Sequence, residues 1–141
     1  MEYLIHQLIN KSEAKGITET LKGENLSWQD GKKTAGRHAA KIKNNFQLDR
    51  NSKISIDLKD FITKKITSNQ LIKSFTLPSF IHGVMFTKSI EGHGYGMHVD
   101  NPYMPSGRSD LSFTLFLNEP DEYEGGDLCI QTINKTEKIK L

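Results

Sequence analysis

Pro78 divides the chain between two apolar rhythms. Before it, Ile54, Leu58, Phe61, Ile62, Ile66, Leu71 and Ile72 recur at helical spacing within residues 52–75, which predicts one or two amphipathic helices. A proline disfavours helix in the residue ahead of it and closes the run. After it the period falls to two. "FIHGVMFT" sets Phe80, His82, Val84 and Phe86 on one face and Ile81, Met85 and Thr87 on the other, and "LSFTLFL" alternates through Leu111, Phe113, Leu115 and Leu117. "GGDLCIQT" and "TEKIKL" read as two more strands around the turn-like "INK". A short helix is expected over residues 12–22, with Ser12 as its cap and Gly23 as its stop. Residues 27–49, rich in glycine, asparagine and lysine around Trp28, read as loops with room for a short strand. Helices first and short strands afterwards give an α+β domain whose second half is a mainly antiparallel sheet or barrel. The 141 residues suit a single domain. Ile139 and Leu141 are still alternating at the last residue, so more strands are expected beyond it.

Charges of both signs are interspersed and leave a formal net charge of +2, which is no footprint for a polyanion; nucleic acid is not an expected partner. No apolar run has the length of a membrane span, and "MEYLIHQLIN" lacks the basic start and long apolar stretch of a signal peptide, so no membrane partner and a cytoplasmic location are expected. Cys129 is the single cysteine, which excludes an internal disulfide and fits a reducing compartment. Its alternation with Leu128 and Ile130 reads as packing of a small hydrophobe.

The chemistry concentrates in "GHGYGMHVDNP", residues 92–102. At i and i+2 on extended chain, His98 and Asp100 point to one face and Val99 to the other. An imidazole nitrogen and a hard carboxylate oxygen are two parts of the 2-His-1-carboxylate triad that holds non-haem Fe(II), although the same ligand types accept manganese, cobalt, nickel or zinc. Taken alone the pair also reads as a capped strand end, with Asp100 accepting bonds from the turn at Asn101 and Pro102.

In order and spacing, "GYGMHVDNP", "RSDLSFTLFLNEP" and "YEGGDLCI" resemble the Fe(II)/2-oxoglutarate-dependent oxygenase superfamily and, within it, the prolyl 4-hydroxylase-like group of PKHD-type hydroxylases. Trp28, Asp30-Gly31, Thr34-Ala35-Gly36, Lys43-Asn44-Asn45 and Gln47 extend the resemblance into the first half, so that it covers nearly the whole chain. It implies a double-stranded β-helix (jelly roll) over residues 78–141, supported by N-terminal helices within residues 1–77, with the last strands missing. It implies that His98 and Asp100 are the first two iron ligands, that Tyr95 lines the pocket, and that Gly125 and Gly126 open the next strand. The implied cofactor is Fe(II), with 2-oxoglutarate and O2 as cosubstrates and L-ascorbate keeping the iron reduced. The implied reaction hydroxylates a C–H bond of an unidentified peptide or small-molecule acceptor and releases succinate and CO2. Where some members carry a tyrosine that bonds the 2-oxoglutarate carboxylate, this chain has Ser89, a hydroxyl of shorter reach. The family's second ligand histidine, and the arginine that grips the far carboxylate through a forked contact, belong to strands after Leu141. No residue here takes either role. The alternative is a non-catalytic relative that uses the barrel mouth as a ligand- or protein-binding module.

The other candidates have plainer readings. His82 reads as a hydrogen-bonded core or sheet residue, and His6 and His38 as surface or loop histidines. His93 could line the pocket or replace a ligand, but it shares a loop with His98, whereas a facial triad is completed from a separate strand. Gly92, Gly94 and Gly96 lack the strand-to-helix setting of a phosphate loop and read as chain flexibility. Arg108 and Asp110 fit either a role in orienting the site or a loop ion pair. Lys41 and Lys43 read as a solvated face.

Overall fold

The computed structural model describes residues 3–141; Met1 and Glu2, the head of the segment read as lacking a leader, lie outside the described residues. Among the described residues three helices and nine short strands form an α+β arrangement. Helix α1 (Lys11–Leu21) starts one residue before the expected position and is capped by Asn10 rather than Ser12. The reason is reciprocity. Asn10 Oδ1 accepts from the Glu13 N–H at 2.9 Å and Glu13 Oε2 accepts from the Asn10 N–H at 3.0 Å. A capping box needs an acidic or amide side chain three residues on, and three residues after Ser12 stands Lys15.

Helix α2 (Lys53–Ser68) is capped by Ser52, whose Oγ accepts from the Ser55 N–H at 3.2 Å. Asn69 then ends α2 and caps α3 (Gln70–Thr76) through the Ile72 N–H at 3.0 Å. The helical run before Pro78 is therefore two helices. Leu77 leaves the second at φ 44 and is 81% exposed, the break expected next to a proline.

Strands β1 (Trp28–Asp30), β3 (Phe46–Leu48) and β4 (Thr87–Lys88) form an antiparallel sheet in the order β1-β3-β4. Strand β2 (Lys43–Asn44) pairs with β5 (Gly94–Tyr95). Strands β6 (Tyr103–Met104) and β7 (Gly107–Arg108) make a hairpin, as do β8 (Leu128–Gln131) and β9 (Thr136–Ile139). The last hairpin is the "LCIQ…TEKI" pair read from the sequence. Ahead of it, Gly125 and Gly126 turn the chain at φ 65 and 68, a region glycine enters without strain.

Two expected strands are corrected. Of residues 80–87 only Thr87 joins a ladder, and residues 111–117 join none. Beyond the Phe86 carbonyl, which accepts from the Leu48 N–H at 3.0 Å, neither the residues before Thr87 nor those at 111–117 join a ladder among the described residues, and alternation alone does not make a strand without one. The α+β class holds; the described ladders do not by themselves close a jelly roll, which takes eight strands in two sheets. Strands β1 to β3 also lie within the part expected to be helical support.

The buried apolar core is Ile9, Ile17, Leu48, Ile62, Ile66 and Phe86, flanked by Val84, Leu115 and Leu117. It joins α1, α2 and the end of β3. Glu13 ties the first two together: its carboxylate receives Lys65, and this bond, followed by that from the Asn10 N–H, holds its pKa below the ordinary 4.5. A lowered folded pKa gives stability that is present above the unfolded value and lost as pH falls through the folded one. The melting temperatures of the wild type and Glu13→Gln are expected to differ near neutrality and to converge below about pH 4.5, while Asn10→Ala costs about 1 kcal/mol at any pH. A Glu13→Gln gap that stays constant into acid would exclude this pair as its source. No helix among the described residues is long and apolar enough to cross a membrane.

Candidate metal centre

Two ladders place the site. β2 and β3 follow each other along one path, and β4 and β5 return beside them, pairing Phe46 with Lys88, Gln47 with Thr87, Asn44 with Gly94 and Lys43 with Tyr95. Between the two sets a single residue, Asn45, stands against the five of segment 89–93. That bulge carries Ser89 and His93. It is closed by the His93 N–H on the Ile90 carbonyl at 2.9 Å and by Asn44 Nδ2 on the Gly92 carbonyl at 3.3 Å. On the opposite side Asn45 packs against Gly31 so closely that a Cβ there would stand 1.9 Å from Asn45 Oδ1.

Past β5 the backbone is pinned again. The Gly96 N–H donates to the Ile42 carbonyl at 2.9 Å, and a Cβ on Gly96 would meet Ile42 Cβ at 3.1 Å. The Gly96 carbonyl is thereby fixed, and His98 Nδ1 lies 2.8 Å from it. A carbonyl only accepts, so Nδ1 carries a proton and the nitrogen left to offer a lone pair is Nε2. That nitrogen faces Asp100 Oδ1 at 3.3 Å. Two lone-pair donors so close repel unless positive charge lies between them, supplied by a proton on Nε2 or by a bound cation. The separation suits adjacent ligands that each stand about 2.1 Å from one metal ion. Val99, 93% exposed, points away as the alternation requires.

Tyr95 covers the imidazole, with ring centroids 3.7 Å apart and planes inclined by 19°. Burial, then the charge of Asp100, pushes the phenol pKa up. Tyr95, His98 and Asp100 are thus one cluster. Ser89 is exposed on the bulge. His93 packs its ring on Phe46 at 5.0 Å with Nδ1 buried and unpartnered, and among the described residues no three His, Cys, Asp or Glu side chains gather to hold a metal.

His82 is hydrogen-bonded as expected, though outside any ladder. Its Nδ1 lies 2.7 Å from Ser106 Oγ and its Nε2 2.5 Å from the Arg108 carbonyl, which pins the β6–β7 hairpin. Of the two readings of Arg108 and Asp110, the loop ion pair is present. His6 is exposed beside Asn69, and Cys129 is half-buried on β8. A cavity of about 350 Å³ lined by Asp30, Thr34, Gln47 and Arg50 includes neither His98 nor Asp100. The donor atoms, not this hollow, mark the candidate centre.

Lys43 overturns its sequence reading. It is 4% exposed, in line with buried Asn45 at 9% and Gln47 at 4%. One face of β2–β3 is therefore polar and buried. Period-two spacing of Lys43, Asn45 and Gln47 was the available signal, masked because such residue types ordinarily face water.

No protein-family model matches the chain. Curated relatives do. Proteins named PKHD-type hydroxylase in Prochlorococcus marinus strains NATL2A and NATL1A are each 74% identical to it over 141 residues, all of this chain and 64% of theirs. One from strain SARG is 56% identical over the same span, again 64% of its length. The chain spans just under two thirds of the length of these relatives.

Proposed function

Since the chain belongs to the PKHD-type hydroxylase family, we propose that it carries the first part of the catalytic centre of an Fe(II)- and 2-oxoglutarate-dependent hydroxylase, on a jelly roll completed by further strands. The observation that supports this reading is the His98–Asp100 pair: Nε2 turned away from the Gly96 carbonyl, a carboxylate oxygen 3.3 Å from it, and the ring held by that carbonyl. Imidazole nitrogen and carboxylate oxygen suit ferrous iron, and they would be two of its protein ligands. Iron held there, with 2-oxoglutarate, supplies the activation of O2 that puts one oxygen atom into a C–H bond and the other into succinate as CO2 leaves.

The chain's own residues do the positioning. Gly96 orients His98 and fixes its tautomer, as the hydrogen-bonded partners of ligand histidines commonly do. The Tyr95 ring shields one side of the imidazole from water. Ser89 offers a hydroxyl to the 2-oxoglutarate carboxylate from the bulge. The third protein ligand and the arginine anchor are assigned to the further length that the relatives possess. The acceptor is a peptide or small molecule.

The test is succinate release. The full-length protein, given Fe(II), 2-oxoglutarate, O2 and ascorbate, is expected to form succinate, and Asp100→Ala is expected to fall to the no-enzyme background. No succinate from the wild type, or equal release from Asp100→Ala, would put the non-catalytic binding-module reading in its place.

A further inference from the structure

Lys43 is a buried cation without a direct ion pair: Asp30 acts on it only from a distance, and among the described residues no carboxylate stands within ion-pair distance. Burying a charge is costly unless something replaces the lost water. Two groups do so. The ammonium donates to Thr34 Oγ1 at 3.2 Å, and Thr34 in turn bonds Gln47. It also stands 4.9 Å from the centre of the Tyr95 ring, within cation–π range. Burial, reinforced by Arg50 and opposed in part by Asp30, lowers its pKa, as expected for an ammonium with so little water around it. Lys43 and Tyr95 are direct cross-strand partners on β2 and β5, and the same ring lies stacked on His98.

The geometry points to Lys43 as a positioning residue of the candidate metal centre, which fixes the Tyr95 ring and, through that ring, the plane of the His98 imidazole. This rests on the reading of His98 as a ligand. A buried charge kept only for packing would be matched or bettered by an apolar side chain of the same length, because the apolar one carries no desolvation cost. The charge therefore has another use, and the side chain it grips is the one that holds the imidazole. Lys43 touches neither metal nor substrate in this role. Partners that orient a ligand histidine typically change metal affinity by about 10- to 100-fold when removed.

The experiment titrates Mn(II) into the full-length protein, follows it by electron paramagnetic resonance, and compares each variant's melting temperature. Lys43→Met, of similar length without the charge, is expected to bind Mn(II) about tenfold more weakly with an unchanged or raised melting temperature. Lys43→Arg, which keeps a cation over the ring, is expected to recover most of the loss. Tyr95→Leu should weaken binding as well, and adding Lys43→Met to it should cost nothing more, since the route runs through the ring. Unchanged affinity in Lys43→Met, failure of arginine to restore it, or losses that add in the double variant would overturn the role. If Lys43→Met does not fold, Lys43→Gln takes its place in the single and the double variant, with the same outcomes expected and excluded. His98→Ala separates the two levels. If it binds Mn(II) like the wild type, the ligand reading fails; if it loses Mn(II) while Lys43→Met does not, only the role of Lys43 fails.

Discussion

Alanine at position 98 should remove metal binding, a loss of more than about 100-fold and thus larger than the removal of an orienting partner produces. The expectation follows from how little else the side chain does. His98 lies outside the buried cluster of Ile9, Ile17, Leu48, Ile62, Ile66 and Phe86, so its removal opens no cavity there. Its contacts are the Gly96 carbonyl, Asp100 and the Tyr95 ring, all within the site. The melting temperature of His98→Ala should therefore match the wild type while Mn(II) or Fe(II) affinity collapses. Comparable affinities for the two proteins would sink the assignment of His98 as a ligand, whatever became of activity.

The largest stability effect is expected far from that pair. Ile62 is the one fully buried side chain among the described residues, at 0% exposure on the inner face of α2. Ile62→Ala deletes buried methyl groups and leaves a hole that neighbouring helices fill only in part, at a cost of about 2–5 kcal/mol. A domain is commonly stable by only about 5–15 kcal/mol, so the variant should unfold at a markedly lower urea concentration with a similar slope. Leu77→Ala, a change of similar size at an 81% exposed position, should stay within about 0.5 kcal/mol of the wild type. Equal midpoints for wild type and Ile62→Ala would place the centre of packing elsewhere.

Much of this was legible in the sequence, for identifiable reasons. The helical period before Pro78 reflects a face that does pack, through Ile62 and Ile66, so α2 falls within the expected limits and α3 runs one residue past them. Alternation between His98 and Asp100 placed both on one side of the chain, and their side chains are adjacent. Period two failed at residues 80–86 and 111–117 because a strand depends on a partner far away in the chain, and local alternation carries no information about that partner. The cap of α1 was misplaced because Ser12 is a good cap in isolation, whereas the Asn10–Glu13 exchange involves two side chains at once. Lys43 was misread for the opposite reason: its type says surface, while its pairing with Tyr95, 52 positions later, puts it inside.

The bulge of segment 89–93 separates two kinds of change open to such a protein over evolutionary time. Both ladders are already in register on either side of it, with one residue opposed to five, so residues can be gained or lost there while Lys43 stays opposite Tyr95 and Phe46 opposite Lys88. Between Tyr95 and His98 there is no such slack: one inserted residue would carry the imidazole off the ring and away from the Gly96 carbonyl. Changes of length are therefore expected to be borne more easily around Ser89, where a small molecule would be held, than where the metal would be. On the proposed reading, preference for a ligand can diverge among descendants while the metal-holding pair is kept.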